Sequence, residues 1–386
     1  VVERTFSEYK SSALPGTLVS EFLTLPADLQ VEGGALEVAY QAALAANFAE
    51  TGIEDPLATN YVDGEPRFFS CQTCHMKPVQ GFGANKRGIP YRNDLPHHDL
   101  TGGNHWIGDL IKYQNANGQL RLGGGMNDIQ LAATDAGKVR AEKALTEAGS
   151  LTVSGDTVKL TNLTAHKLIS GYPEGRRMWL NIKWYDGVNS GPIRIDGEYG
   201  PIGVDVPNPA GGPDVAVRSI IDLHDPNTKI YEAHYGITQE WAATLSSVNS
   251  AYDALVVSYD RESGLPDYTL ADVKAQAPGT SHESFHFVLN DAVVKDNRVP
   301  PYGMRYNEAR KRNALPVPAD QYGNPGADGV YNYFDVFTLS PPAGATYATI
   351  DLLYQGTSWE YIQFLDKANN KQNAFLGQEG TNLLEA

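Results

Sequence analysis

The sequence predicts an α+β fold. A helix- and loop-rich N-terminal half, residues 1–149, precedes a β-sandwich-like C-terminal half, residues 150–386, that carries a helix near its end. Three observations predict it. Before residue 150, apolar residues recur at helical spacing in segments separated by stretches rich in Gly, Pro and Asn. From Leu151 onward, apolar residues alternate with polar ones, the period of a strand with one buried face. Pro/Gly turns cut these runs into short pieces, as in a sandwich.

The elements follow in order. "GGALEVAYQAALAANFAETG" places a helix from about Ala35 to Ala49, stopped by a glycine. "GFGANKRGIPYRNDLPHHDLTGG" reads as irregular loop, and "NHWIGDLIKYQNANG" as a short helix. "TDAGKVRAEKALTEAGS" reads as a further helix, with Thr134 as its N-cap and Gly149 as its stop. "LTVSGDTVKLTNLT" is a hairpin turning at Gly155-Asp156, and "RRMWLNIKWYDG" alternates as a strand. "VRSIIDLHDPNTKIYEAHYG" reads as two strands about an Asp-Pro-Asn turn, and "SFHFVLND", "YNYFDVFTLS" and "YATIDLLYQ" continue the pattern. Two helices interrupt it, "TQEWAATLSSV" and "SWEYIQFLDKANN". There is no internal repeat.

With 386 residues, 41% of them hydrophobic, the chain is long enough to bury a core without disulfides. A net charge of −16 and a pI near 4.9 argue against nucleic acid and anionic membrane as partners. No run approaches the roughly 18 apolar residues of a transmembrane helix. The opening "VVERTFSEYK" has neither an initiating Met nor a signal-peptide pattern, which is how a mature chain with its signal removed would read.

The only two cysteines lie in "SCQTCHMKP", residues 70–78. A Cys-x-x-Cys pair serves as a redox disulfide, as half of a zinc site or, when histidine follows, as the attachment point of a c-type haem. Zinc in a structural site wants four protein ligands, commonly from two paired motifs, and there is no second pair here. The haem reading uses every residue: Cys71 and Cys74 form thioethers to the porphyrin and His75 supplies an axial nitrogen. One covalent haem c is therefore expected. Such attachment takes place outside the cytoplasm in bacteria, so the expected location is the periplasm or cell surface.

Four stretches resemble segments of bacterial extracytoplasmic multihaem c-type cytochromes: "CQTCHMKP" (71–78), "HDLTGGNHW" (98–106), "NLTAHKLISGYPEGRRMWLNIKWYD" (162–186) and "LLYQGTSWEYIQFL" (352–365). The resemblance implies single-electron transfer to a redox partner protein. It also implies distal-ligand roles for the histidine of "AHKLISG", His166, and for that of "HDLTGGN", His98. Unlike that family, this chain has a single CxxCH, so the implied protein is a monohaem cytochrome.

For the face of the iron opposite His75, reach favours the loop just after the motif. His98 is the first expectation and His166 the alternative, with His97 and His105 behind them; Asp99 would orient His98 through its second ring nitrogen. Met126, Met178 and Met304 are weaker candidates, and Met178 reads as strand core. His224 and His234 read as structural. His282 and His286, taken as one strand, would lie roughly 13 Å apart, too far for one ion. Arg176 and Arg177 are candidates for the haem propionates, since guanidinium matches carboxylate with two hydrogen bonds. Asn162-Leu163-Thr164 fits a glycosylation acceptor by pattern. Two other functions stay open: a haem enzyme with an open distal site, and a subunit of a cell-surface assembly, with homo-oligomers among its forms. The sequence contains no G-x-S-x-G, H-E-x-x-H or phosphate-binding glycine loop.

Overall fold

The computed structural model describes residues 4–98, 100–121, 124–374 and 376–386. Helix α1 (Thr5–Ser11) and three short 3-10 turns lead into helix α2 (Ala35–Thr51). On α2, Leu36, Ala39, Tyr40, Ala43 and Ala46 are buried, the three-and-four spacing of one helical face. The helix stops at Gly52, whose φ of 70° suits a residue without a Cβ and whose N–H donates to the Phe48 carbonyl. Helix α3 (Cys71–His75) carries the whole CxxCH motif.

The Gly- and Pro-rich stretch that follows departs from expectation. It contains an antiparallel hairpin, β1 (Pro78–Phe82) and β2 (Tyr91–Pro96), with a register shift between Val79 and Gly81. Helices α4 (Ile107–Ala116) and α5 (Asp128–Glu147) complete the N-terminal half. Helix α5 starts before Thr134, because Asn127 and Gln130 form a stronger signal: each side chain accepts the other's backbone N–H at 3.0 Å. Thr134 lies inside the helix and donates to the Gln130 carbonyl. Gly149 opens a strand rather than closing the helix.

Strands β3 (Gly149–Ser154) and β4 (Thr157–Asn162) form the expected hairpin about Gly155-Asp156. Strand Phe334–Thr338 pairs with the other edge of β4, giving a three-stranded antiparallel sheet. Strand β5 (Arg177–Tyr185) is central to a six-stranded antiparallel sheet. It pairs along its whole length with Tyr347–Gln355, and at its start with Ile230–Thr238. Alternation along β5 sets the packing. Leu180, Ile182 and Trp184 meet Val158, Leu151 and Phe337 of the smaller sheet, while Trp179 turns the other way onto Ile220 and Ile230. The two sheets are thus stacked, as the alternation predicts.

Two details differ. The strands either side of Asp225-Pro226-Asn227 do not pair: Val215–Ile220 pairs with Tyr199–Val206, whereas Ile230–Thr238 belongs to the large sheet. "SFHFVLND" is largely a turn between strands Ser281–Glu283 and Ala292–Asp296. The cores also ignore residue 150. Leu163 packs with Leu14, Phe22, Leu36 and Phe69, and Ala148 packs with Leu160, Met178 and Tyr231.

Strand Ile230–Thr238 carries a charge cluster. His234 contacts Glu232 through Nε2 at 3.1 Å and Glu283 through Nδ1 at 2.9 Å, and Lys295 reaches Glu232 at 2.7 Å. Burial alone would lower the imidazole pKa, but the two carboxylates outweigh it and raise His234 to about 10. A pKa raised on folding gives stability that is complete below the unfolded value, about 6.5, and disappears as pH rises through the folded one. His234→Ala should therefore lower unfolding free energy by about 1.5–3 kcal/mol at pH 6. The gap to the native chain should narrow in denaturant titrations carried up to pH 10.5. A gap of constant size across that range would contradict this account.

Candidate functional site

Helix α3 begins at Ser70, whose side chain accepts the Thr73 N–H at 3.3 Å. Thr73 is buried and donates to the Phe68 carbonyl at 2.7 Å, which pins the short helix to the preceding chain. Cys71 and Cys74, three apart on one helical turn, fall on the same side. Both thiols are free, and both line a cavity of about 550 Å³. That volume is within the range of small-molecule and cofactor sites, roughly 300–1,000 Å³. Cys74 packs against the N-terminal core, and burial, with Cys71 beside it, pushes its thiol up to about 12.

His75 is the next residue. Its Nδ1 lies 2.5 Å from the Thr101 carbonyl. A carbonyl only accepts, so Nδ1 carries a proton, and in the neutral ring Nε2 keeps its lone pair. The loop after β2 thus does reach the CxxCH histidine, but through the main chain of Thr101. His98 is exposed and is not part of the cavity wall. The unforeseen β1–β2 hairpin takes up the chain that was expected to fold back with His98. His97 is on the cavity rim, Asp99 lies outside the described residues, and His105 sits against Tyr354 with ring centroids 5.9 Å apart.

The residue that faces His75 is His166. Their ring centroids are 6.2 Å apart and their planes differ by 14°. His166 Nδ1 donates to the Lys167 carbonyl at 3.0 Å, which leaves Nε2 with its lone pair here too. Desolvation holds the His166 pKa below the ordinary imidazole value and keeps the ring neutral. Among the described residues neither Nε2 makes a hydrogen bond.

The position of His166 is over-determined. Asn162 Nδ2 donates to the His166, Val299 and Pro300 carbonyls, while Asn162 Oδ1 accepts from the N–H and hydroxyl of Thr164. With its amide fully engaged and 0% exposed, Asn162 is no glycosylation acceptor in the folded chain. Beneath the loop lies a buried ionic network. Arg298 binds Glu8 at 2.7 Å and Asp296 at 2.8 Å, and Lys167 binds Asp296 at 2.6 Å. Glu8 also accepts the Lys167 N–H at 3.1 Å and the Ser170 hydroxyl at 2.6 Å. Burial would raise the Asp296 carboxyl, but Arg298 and Lys167 overcome it and hold the group below its usual range.

Arg176 lines the cavity, donating to the Ser170 carbonyl and to Asn104. Arg177, one residue along, does not line it. It is buried and paired with Glu360 at 2.7 Å and Glu232 at 3.9 Å. Neighbouring residues where a strand begins point to opposite faces, so only one of the two arginines could serve. Met178 and Met304 are core residues, and Met126 is not in the cavity wall. His282 and His286 do not share a strand. His282 bonds Ser258 and stacks on Tyr268, whereas His286 bonds the Val256 carbonyl.

Several wall residues went unforeseen. Arg140, Lys143, Ala144 and Glu147 present one face of α5 to the cavity, and Lys77 joins them from after α3. Their 3-1-3 spacing was the available signal. Lys77 pairs with Glu147 at 2.8 Å, and Lys143 lies 3.8 Å from the same carboxylate. A second cavity of about 760 Å³, between α4, Tyr172, Tyr361 and the C-terminal helices, shares Asn104 and Arg176 with the first. No family model, curated protein or solved structure matches the chain.

Proposed function

We propose that this protein is a monohaem c-type cytochrome that transfers single electrons outside the cytoplasm, with His75 and His166 as the two residues that would hold its iron. The observation that carries the reading is the facing pair of imidazoles beside both cysteines. Two metal–nitrogen bonds of about 2 Å each, plus the two ring radii, span roughly 6 Å, and the rings are 6.2 Å apart. Among the described residues no three His, Cys, Asp or Glu side chains converge as a metal site. Two facing imidazoles are too few for a bare zinc ion but are enough for iron whose other four ligands are porphyrin nitrogens.

When bound, the haem would supply a one-electron iron couple. The chain's residues provide the rest. Cys71 and Cys74 would hold the porphyrin edge, and the Thr101 and Lys167 carbonyls orient the two imidazole rings. A second reading, a haem enzyme, draws support from the neighbouring 760 Å³ cavity, which would hold a substrate next to Arg176.

Absorption and magnetic resonance separate these readings. The native protein should be low spin without added ligand. His166→Ala should convert it to high spin, while His98→Ala should leave the spectrum as it was. A high-spin native protein would favour the enzyme. A spectrum altered by His98→Ala alone would return the distal role to the loop after β2.

A further inference from the structure

The larger cavity, about 760 Å³, has a wall unlike that of the smaller one. Ile107 and Leu110 enter it from α4, with Trp106 just before that helix. Tyr361, Leu365 and Ala368 enter from the helix Trp359–Ala368, spaced four and three along one face. The loop before β5 supplies Tyr172, at a φ of 62°. That region is costly for a bulky side chain, so the surrounding structure must hold the ring there. Gly175 makes room nearby: a Cβ at that position would meet the Tyr361 ring at 2.8 Å. The charges of this wall offset one another. Glu379 is tied to Gln114 and Arg121, while Glu174 and Arg176 carry opposite signs on one loop. An aromatic wall with offset charges suits a flat, neutral ligand.

His286, also in the wall, supplies a hydrogen-bond acceptor. Its ring packs edge-on against Phe364, centroids 4.7 Å apart, and its Nε2 lies 2.8 Å from the Val256 carbonyl. A carbonyl only accepts, so Nε2 carries a proton, and in the neutral ring Nδ1 is left as an acceptor. Desolvation lowers the His286 pKa against the opposing pull of the Val256 bond, which favours that neutral form. Among the described residues Nδ1 makes no hydrogen bond. We propose that this cavity binds a neutral phenol, its ring among Trp106, Tyr172, Tyr361 and the leucines and its hydroxyl donating to His286 Nδ1. The site is built by the chain alone and does not rest on the haem reading. Asn104 and Arg176 line both cavities, so the phenol would sit next to the contents of the smaller one.

The test is a calorimetric titration of the native full chain with para-cresol, repeated with para-methylanisole, which keeps the ring but has no hydroxyl proton. One para-cresol should bind per chain. The anisole should bind about tenfold more weakly, the worth of one hydrogen bond. His286→Phe keeps a ring against Phe364; it should weaken para-cresol by about the same factor and leave the anisole unchanged. Leu110→Trp fills the apolar end of the cavity and should abolish binding of both. Equal affinities for the two compounds in the native chain would overturn the assignment, as would no binding at low millimolar concentration. Binding that survives Leu110→Trp, or para-cresol affinity unchanged in a folded His286→Phe chain, would overturn it too. If His286→Phe fails to fold, the comparison of the two compounds on the native chain and on Leu110→Trp decides the matter. A native chain that binds para-cresol but runs at its plain polypeptide mass would keep this site and remove the haem reading. A chain with covalent haem and no para-cresol binding would do the reverse.

Discussion

Replacing Cys71 and Cys74 together by alanine should abolish covalent haem. The native chain should carry one haem's added mass and keep its colour through acid–acetone extraction, whereas the double variant should run at polypeptide mass and release all colour. The effect is all-or-none because the chain has no other thiol. Both sulfurs line the same cavity from one turn of α3, so each single variant should retain one attachment and partial yield. An attached haem is packed and ligated only in the folded state, so its loss should also lower the unfolding midpoint. That loss should be felt first around α3 and the loop of Thr101, where the cavity wall is thinnest in secondary structure. A native chain at polypeptide mass, or a double variant that keeps its haem through extraction, would remove the basis of the functional reading.

The second large effect is expected at Arg298. Its side chain is 1% exposed and makes four hydrogen bonds to three partners: Glu8, Asp296 and the Ile169 carbonyl. Arg298→Met would leave two buried carboxylates facing a single lysine. Breaking a buried ion pair from one side costs on the order of 3–5 kcal/mol, because the orphaned charge stays desolvated. The damage should extend to the site, since Glu8 and Asp296 also hold Lys167, whose carbonyl orients His166. The variant should thus show both a lower unfolding free energy and a weakened low-spin signal. Pairing Arg298→Met with Glu8→Gln should recover part of the stability, because it restores charge balance between Asp296 and Lys167. If the single variant lost stability but kept the native spectrum, the network would be structural only and would not position His166.

How far the chain could be read depended on the range of the interactions involved. Helix α2 was legible because its buried residues recur every three to four positions, and strand β5 because Met178, Leu180, Ile182 and Trp184 recur every two. The β1–β2 hairpin was not, because the glycines and prolines between 78 and 96 hide a pairing with a shifted register. Strand partners were hidden as well: the turn at Asp225 is visible locally, but the choice of sheet for each flanking strand is made by distant residues. The same holds at the site. Cys71, Cys74 and His75 are a local motif and could be read directly. The preference for His98 over His166 came from loop length, which limits reach but does not say where a ring points. That His166 faces His75 depends on Asn162, Glu8 and Asp296, which come together only in the fold. Arg176 and Arg177 could not be told apart without knowing where β5 begins.

Both facing imidazoles hand their Nδ1 proton to the peptide backbone, at Thr101 and at Lys167, not to a side chain. A peptide oxygen is uncharged and does not titrate, so it cannot draw that proton away and lend either ring imidazolate character, as a carboxylate partner would. Both ring tautomers are therefore insulated from carboxylate titration at that nitrogen. They are insulated from genetic drift too. A peptide oxygen is present whatever side chain stands at position 101 or 167, so the donor set can outlast many substitutions on either side of it.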